Sequence, residues 1–364
     1  MSEWKEYKLG EVASFVKEKV AVQSIATDDY VSTENMLPNK GGITLASGKP
    51  EEGTITKYYP NTILVSNIRP YFKKIWYADK AGGCSNDVLC FEAKESIVDS
   101  KYLFFLLSQD MFFDYVMLGS KGCKMPRGDK AHIMNWDISL PSLDEQRRIA
   151  SILTSLDDKI DLLRRENATL EAMAETLFRQ WFVVEAKEEW DEVRLEDIAI
   201  LNAGGDKPKN FAPIRTKDLS VPIYSNGIDN EGLYGYTDKA KILEESVTIS
   251  ARGTIGYVVL RTEPFVPIVR LITMQPKDFV TSKFLYFWAK NQNINGTGTT
   301  QQQLTVPDFK QTKVLLPEKE LIEKFTSIVN QYYNKILTNK QQINTLIQTR
   351  DGLLPRLMGG EIKI

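Results

Sequence analysis

Residues 141–160, PSLDEQRRIASILTSLDDKI, return further along the chain as residues 317–336, PEKELIEKFTSIVNQYYNKI. Each copy opens a long apolar rhythm. From Ile149 the steps alternate between four and three residues: Ile149, Leu153, Leu156, Ile160, Leu163, Asn167, Leu170, Ala174, Leu177 and Trp181. The second copy runs through Phe325, Val329, Tyr332, Ile336, Asn339, Ile343, Leu346, Arg350, Leu353 and Leu357, apolar at all but Asn339 and Arg350. A sustained 4-3 alternation is coiled-coil spacing. It predicts two helices of roughly 33 residues, about 50 Å each at 1.5 Å rise per residue. The alternative is two amphipathic helices, each packed only on its own domain.

The repetition extends outward from these helices. WKEYKLGEVA from Trp4 returns as WDEVRLEDIA from Trp190, and SKYLFF from Ser100 returns as SKFLYF from Ser282. Two copies of one module imply a pseudo-twofold molecule, a shape suited to a quasi-twofold ligand such as duplex DNA. Ahead of each helix, NTILVSNIRPYFKKIWYA and ESVTISARGTIGYVVLR read as strands joined by turns, whereas SKYLFFLLSQ and SKFLYFWAKN read as short buried helices. The expected class is α/β (α+β), ordered domain, long helix, domain, long helix. Residues 184–189 form the joint.

Orientation of the helices follows from their polar layers. Antiparallel overlap sets Asn167 beside Asn339, Trp181 near Phe325 and Ile149 near Leu357, whereas a parallel pair buries each amide against Leu163 or Ile343. An unpartnered buried amide costs roughly 1–3 kcal/mol, so the antiparallel coiled coil is expected.

Composition sets limits on function. At 364 residues, 42% hydrophobic and 26% charged, the chain can build two ordinary globular cores. A net charge of -2 means that any affinity for phosphate must come from local patches. Three cysteines, Cys84, Cys90 and Cys123, with no apolar run long enough for a signal peptide or membrane span, point to a reduced, cytoplasmic protein.

Catalytic patterns are absent or incomplete. With His132 the only histidine, paired-imidazole mechanisms and Cys/His zinc sites lack their residues. GITLASGKP from Gly42 has the wrong glycine spacing for a phosphate loop and Pro where Ser or Thr would hold magnesium. GTGTTQ from Gly296 lacks the third glycine of a dinucleotide fingerprint. Glu92-Ala93-Lys94 has a nuclease-like carboxylate-x-Lys spacing, but the second module offers no match. No Asn-Pro-Pro-aromatic motif exists, so this chain should not itself methylate an exocyclic amine. No cofactor or metal is expected.

Equivalent loops before the two helices carry the recognition chemistry. LGSKGCKMPRGDKAH from Leu118 presents Lys121, Lys124, Arg127 and Lys130 against one acid, Asp129. Its counterpart from Ile294, INGTGTTQQQLTVPDFK, presents Thr299, Thr300, Gln301, Gln302 and Gln303. Lys and Arg bind phosphate or guanine, and Gln can grip adenine through two hydrogen bonds. This is the pattern of two readers tuned to different half-sites, against the plain alternative of two solvated loops. Four cations are too many for base contacts alone, which assigns most to phosphates and Arg127 to a base. A second set, Arg69, Lys73 and Lys74 in the first module with Ser250 and Arg252 in the second, lies at corresponding places, where a solvated strand edge is the other reading.

These motifs resemble one family, the specificity subunits of type I restriction-modification enzymes. PSLDEQRRIASILTSLDDKI is similar to the signature heading that family's conserved helix, and AETLFRQWF and GLLPRLMGGEI are similar to its two helix endings. The second helix departs at Leu321-Ile322-Glu323-Lys324, where the first has Glu145-Gln146-Arg147-Arg148. The resemblance implies target-recognition domains at 1–144 and 188–318 and spacer helices at 145–187 and 319–364. It further implies a non-catalytic subunit reading a bipartite asymmetric sequence in double-stranded DNA. Two methyltransferase subunits and the restriction subunits would be its partners, with no membrane involved. A coiled-coil scaffold without sequence-specific DNA binding is the alternative.

Overall fold

Residues 143–179 contain neither glycine nor proline and are rich in Leu, Ala, Glu and Arg, all strong helix formers. In the computed structural model, which describes residues 4–122, 124–294, 303–362 and 364, they form one helix, Leu143–Arg179, of 37 residues. The second long helix, Lys319–Met358, has 40 residues and carries Pro355 in its last turn. Both exceed the length expected from the apolar rhythm, because each begins almost at the proline that precedes the rhythm. The second ends at Gly360, whose φ of +70° is left-handed and whose face lies against Trp4; a Cβ there would meet the indole at 3.1 Å.

The chain divides into two compact units, one formed by Met1–Leu163 with Gln342–Ile364 and the other by Arg164–Gln341. The division cuts both long helices, so each unit owns part of each.

In the first unit, Lys5–Lys8 pairs antiparallel with Asp137–Leu140. A four-stranded sheet follows in the order Ala13–Phe15, Val88–Ala93, Ile63–Ser66, Ile75–Tyr77, and a second in the order Lys19–Ala21, Thr54–Tyr58, Gly82–Cys84, Tyr30–Val31. The helix Ser100–Leu107 is N-capped by Asp99, which accepts from the amides of Lys101 and Tyr102. Its Leu103 and Leu107 join Phe91 and Phe112 in a core that also takes Ile149 from the first long helix and Leu357 from the second. Cys84 and Cys90 are free and buried, with sulfurs 3.0 Å apart.

The second unit repeats the plan. Asp191–Arg194 pairs with Lys313–Leu316. The larger sheet runs Ala199–Ala203, Ile272–Pro276, Ser246–Ile249, Val258–Arg261, the same order as in the first unit, and a three-stranded sheet joins Leu233–Thr237, Val221–Tyr224 and Val266–Pro267. Helix Ser282–Lys290 is capped by Thr281 and buried on nearly every face. The core is aromatic: Phe182 lies 5.2 Å from Phe284 and 5.2 Å from Phe325, each ring edge-on to the other.

Within each unit the helix segments run antiparallel. In the first, Ile149 and Leu357 share one core, and the Arg350 guanidinium meets the Asp157 carboxylate at 2.7 Å, which accounts for a charge in the apolar rhythm. In the second, Asn339 Nδ2 donates to Asn167 Oδ1, and Trp181 lies 6.5 Å from Phe325, centroid to centroid. Ile160, Leu163, Val329 and Ile336 are buried, while Leu156, Leu170, Leu177, Ile343, Leu346 and Leu353 are half-buried. The two readings of the helices are therefore both partly right. Their ends fill the domain cores and their middles face each other.

The helix heads explain the departure in the signature. Gln146 is buried; its amide donates to the carbonyls of Ile97 and Pro141 and accepts from the Asp99 N–H, tying helix to domain. The equivalent position in the second helix is Ile322, fully buried among apolar groups. A buried amide needs partners and a buried isoleucine does not, so the two heads lock by different means.

Candidate nucleic-acid interface

In the first unit the turn between Ile63–Ser66 and Ile75–Tyr77 holds two left-handed residues that are not glycine, Arg69 at φ 49° and Lys73 at φ 52°. Such backbone costs of order 1 kcal/mol or more per residue and persists only where neighbours hold it. Here the Arg69 N–H donates to Pro126 O at 2.8 Å and the Lys40 N–H to Lys73 O at 2.9 Å. The loop from Leu118 closes on this turn. Lys121 and Arg127 exchange backbone hydrogen bonds at 3.0 Å, and the Gly128 N–H donates to Asn67 O at 3.2 Å. Gly128 permits that approach, because a Cβ would lie 2.7 Å from Asn67 Oδ1. Two patches that are distant in sequence thus form one surface, with Tyr71, Phe72 and Met125 exposed beside the cations.

Its charges are partly engaged. Arg127 pairs with Asp87 at 3.0 Å, Lys121 with Asp129 at 2.8 Å, and Lys73 shares Asp110 with Lys40. Lys74 turns away from the surface and donates to Thr33 O at 2.6 Å. The Lys130 ammonium sits 5.8 Å above the Phe15 ring. Lys124 is exposed and makes no ion pair among the described residues. Exposed pairs of this kind are worth only about 0–1 kcal/mol, so a phosphate can displace the carboxylate. Asp129 also caps helix Lys130–Met134 through the amides of Ala131 and His132; Lys121 first, and then the His132 N–H, lower its pKa to about 2. His132 itself stacks on Tyr115 at 4.2 Å, and its Nε2 lies 3.1 Å from Tyr115 O.

The second unit builds the same junction from different side chains. The Leu304 N–H donates to Ala251 O at 3.0 Å, as Gly128 does to Asn67, and Thr305 caps helix Val306–Lys310 as Asp129 caps its counterpart. Where Arg127 pairs with Asp87, Arg252 Nη2 donates to Gln303 Oε1 at 3.0 Å. Thr299, Thr300, Gln301 and Gln302 lie outside the described residues. Ser250 is 1% exposed, so its hydroxyl is interior and cannot face DNA as the fold stands. It lies just past the strand Ser246–Ile249, packed inward, whereas Arg252, two residues further into the turn, is exposed.

Two groups escaped the sequence reading. Asp87 stands out in the sequence only as a metal partner for Glu92, to which it is too near, and Asn226, whose Oδ1 accepts from the Ala251 N–H at 2.7 Å, carries no motif. Aligning the repeats would have placed Asp87 opposite Arg270, a change of sign at an equivalent position. The Glu92-Ala93-Lys94 pattern is structural, because Lys94 Nζ donates to the carbonyls of Gly10 and Glu11. Among the described residues no group of three His, Cys, Asp or Glu is arranged to hold a metal.

The family model of the type I restriction modification DNA specificity domain matches residues 1–172 and again residues 187–348. The chain belongs to this family. Each match covers one module with much of the helix that follows, so the specificity domain occurs twice, as the internal repeat requires. The specificity subunit of the type I restriction enzyme HindI from Haemophilus influenzae is 23% identical, with all of both chains covered. That of MjaIX from Methanocaldococcus jannaschii is 26% identical over 74% of this chain and 71% of the other. The crystal structure of a type I restriction-modification S subunit from M. genitalium superposes with a TM-score of 0.61 at 17% identity, covering 97% of this chain and 96% of that one. That likeness extends to the fold.

Proposed function

We propose that this chain is the sequence-reading subunit of a type I restriction-modification enzyme and recognises a bipartite asymmetric target in double-stranded DNA, one half per module. The observation that carries the reading is the paired junction. One scaffold, repeated twice, presents Arg127 with Asp87 in the first module and Arg252 with Gln303 in the second. Equal backbones with unequal polar side chains suit two different half-sites separated by a spacer that neither module reads. The target-recognition domains span 1–144 and 188–318, and the helices at 145–187 and 319–364 set the spacing between half-sites.

On this reading the chain contributes recognition and no chemistry. Two methyltransferase subunits supply S-adenosylmethionine-dependent methylation, and restriction subunits supply ATP-driven translocation and cleavage, in the cytoplasm where the chromosome lies. No described helix is long and apolar enough to cross a membrane.

Exchange of residues 188–318 for those of a relative, followed by methylation mapping of the assembled enzyme, tests this directly. One half of the methylated motif should change and the other half should persist. A chain whose partners methylate without regard to sequence would instead be a coiled-coil scaffold.

A further inference from the structure

The second module carries a basic segment that none of its reading-loop residues includes. Residues 205–219, GDKPKNFAPIRTKDL, contain Lys207, Lys209, Arg215 and Lys217 against Asp206 and Asp218, a local positive excess in a chain of net charge -2. All four cations are exposed. Among the described residues Lys209, Arg215 and Lys217 make no ion pair, unlike most cations of the first module's surface. Lys207 is held by rings: its ammonium lies 4.1 Å above Phe211 and 5.7 Å from Tyr234, and those two rings are 5.5 Å apart.

The segment is pinned in place. Ala212 and Tyr236 exchange backbone hydrogen bonds at 2.9 and 2.8 Å, and Asn210 Nδ2 donates to Asp238 at 2.9 Å. At its head the carbonyls of Gly204 and Gly205 accept from the N–H groups of Arg270 and Val269, each at 2.9 Å. Val269 and Arg270 both have left-handed backbone, φ 52° and 62°, a conformation that a β-branched residue adopts only under strong constraint. Both side chains are exposed.

A short relay ties this head to the reading loop. Val269 O accepts from Asn226 Nδ2 at 2.7 Å, Asn226 Oδ1 accepts from the Ala251 N–H at 2.7 Å, and Ala251 O accepts from the Leu304 N–H at 3.0 Å. Gln303 and Arg252 are the chain neighbours of the last two residues. The head of the basic segment and the junction of Arg252 with Gln303 therefore share one support.

We propose that residues 205–219, with Arg270, form the phosphate clamp of the second module, a surface that grips the duplex backbone without reading bases while Arg252 and the glutamine loop read them. Unpaired exposed cations on a fixed backbone are suited to phosphate, where each neutralised charge releases counterions. The proposal rests on the DNA-specificity reading above. It explains how a glutamine-rich reader, short of cations, is held on DNA.

The test uses the chain assembled with its methyltransferase subunits, a duplex carrying the mapped target and a random-sequence duplex, with affinity measured against salt. The triple variant Lys209→Ala, Arg215→Ala, Lys217→Ala should lower the slope of log affinity against log salt by about two to three units on both duplexes and leave the methylated motif unchanged. Arg270→Ala should lower it by about one, and Lys209→Arg with Lys217→Arg should keep the wild-type slope. An unchanged slope in the triple variant overturns the clamp, as does a changed motif, which would make these residues readers. If the wild-type assembly shows no preference for its target over the random duplex, the specificity reading fails as well; if it does and only the variant is silent, the clamp alone is wrong.

Discussion

Asn339 Nδ2 donates to Asn167 Oδ1 at 2.9 Å where the two long helices face each other, and also reaches Glu166 Oε2 at 2.9 Å. Asn339 is fully buried. A polar residue in an apolar seam costs stability and fixes register, because any sliding of one helix leaves the amide without partners.

Replacing both asparagines by Leu should therefore be neutral or stabilising in urea unfolding, since a buried amide and its half-buried partner are removed together. Asn167→Leu alone should cost about 1 kcal/mol, because Asn339 keeps only Glu166. A double variant that remains destabilised by as much as Asn167→Leu alone would show that the pair contributes net stability rather than register.

Asp87 and Arg127 form a half-exposed pair at 3.0 Å that a phosphate or a base can open. Arg127→Ala should alter the preferred sequence in one half of the target. Lys124→Ala should weaken binding to every duplex and lower the salt slope by about one unit. Asp87→Ala should raise affinity for random duplexes, since a competing anion is gone. Affinity against salt for target and scrambled duplexes decides all three, and equal slopes throughout would mean that this surface faces solvent.

In the second module Gln303→Ala, and likewise Gln301→Ala or Gln302→Ala, should relax the other half-site by roughly 1–3 kcal/mol per lost bidentate contact. Arg252→Ala should act on the same half, because its guanidinium is bonded to Gln303 at 3.0 Å. Methylation mapping reads this directly. Relaxation spread over both halves would mean that the modules do not read independently.

Acid should loosen the first module's loop late. Lys121 and the capped amides hold the Asp129 carboxyl at about 2, below the ~3.9 of an unfolded aspartate. Its stabilising contribution is complete above about pH 4 and is lost as pH falls through about 2. The Ala131 amide resonance should follow that titration, and Lys121→Ala should move the midpoint upward. A wild-type midpoint near 4 would contradict the Lys121 contact.

Much of this was legible in advance where the signal is local or repeated. The alternation from Ile149 predicted the long helix, and the single polar step at Asn167 predicted its direction against Asn339. The reading surfaces were only half legible. Arg69 and Arg127 looked like rival sites because they are far apart in the chain, yet the Arg69 N–H bonds to Pro126 O and Gly128 lies against Asn67. Ser250 looked available because serine is polar, but the turn after Ile249 folds it into the interior. The basic segment around Lys209 carries no signal in the sequence, since nothing in its own residues shows that Asn226 connects its support to Ala251.

By itself the sequence determined the duplication, the two long helices and their antiparallel register, because periodicity and repetition are properties of neighbouring residues and survive without knowledge of contacts. Only the tertiary structure decided which cations are engaged and which are free, that Gln146 and Ile322 lock their helix heads by different chemistry, and that Arg252 meets Gln303. Those outcomes depend on pairs of groups brought within about 3 Å by folding, a distance at which a hydrogen bond or ion pair exists and beyond which composition carries no record of it.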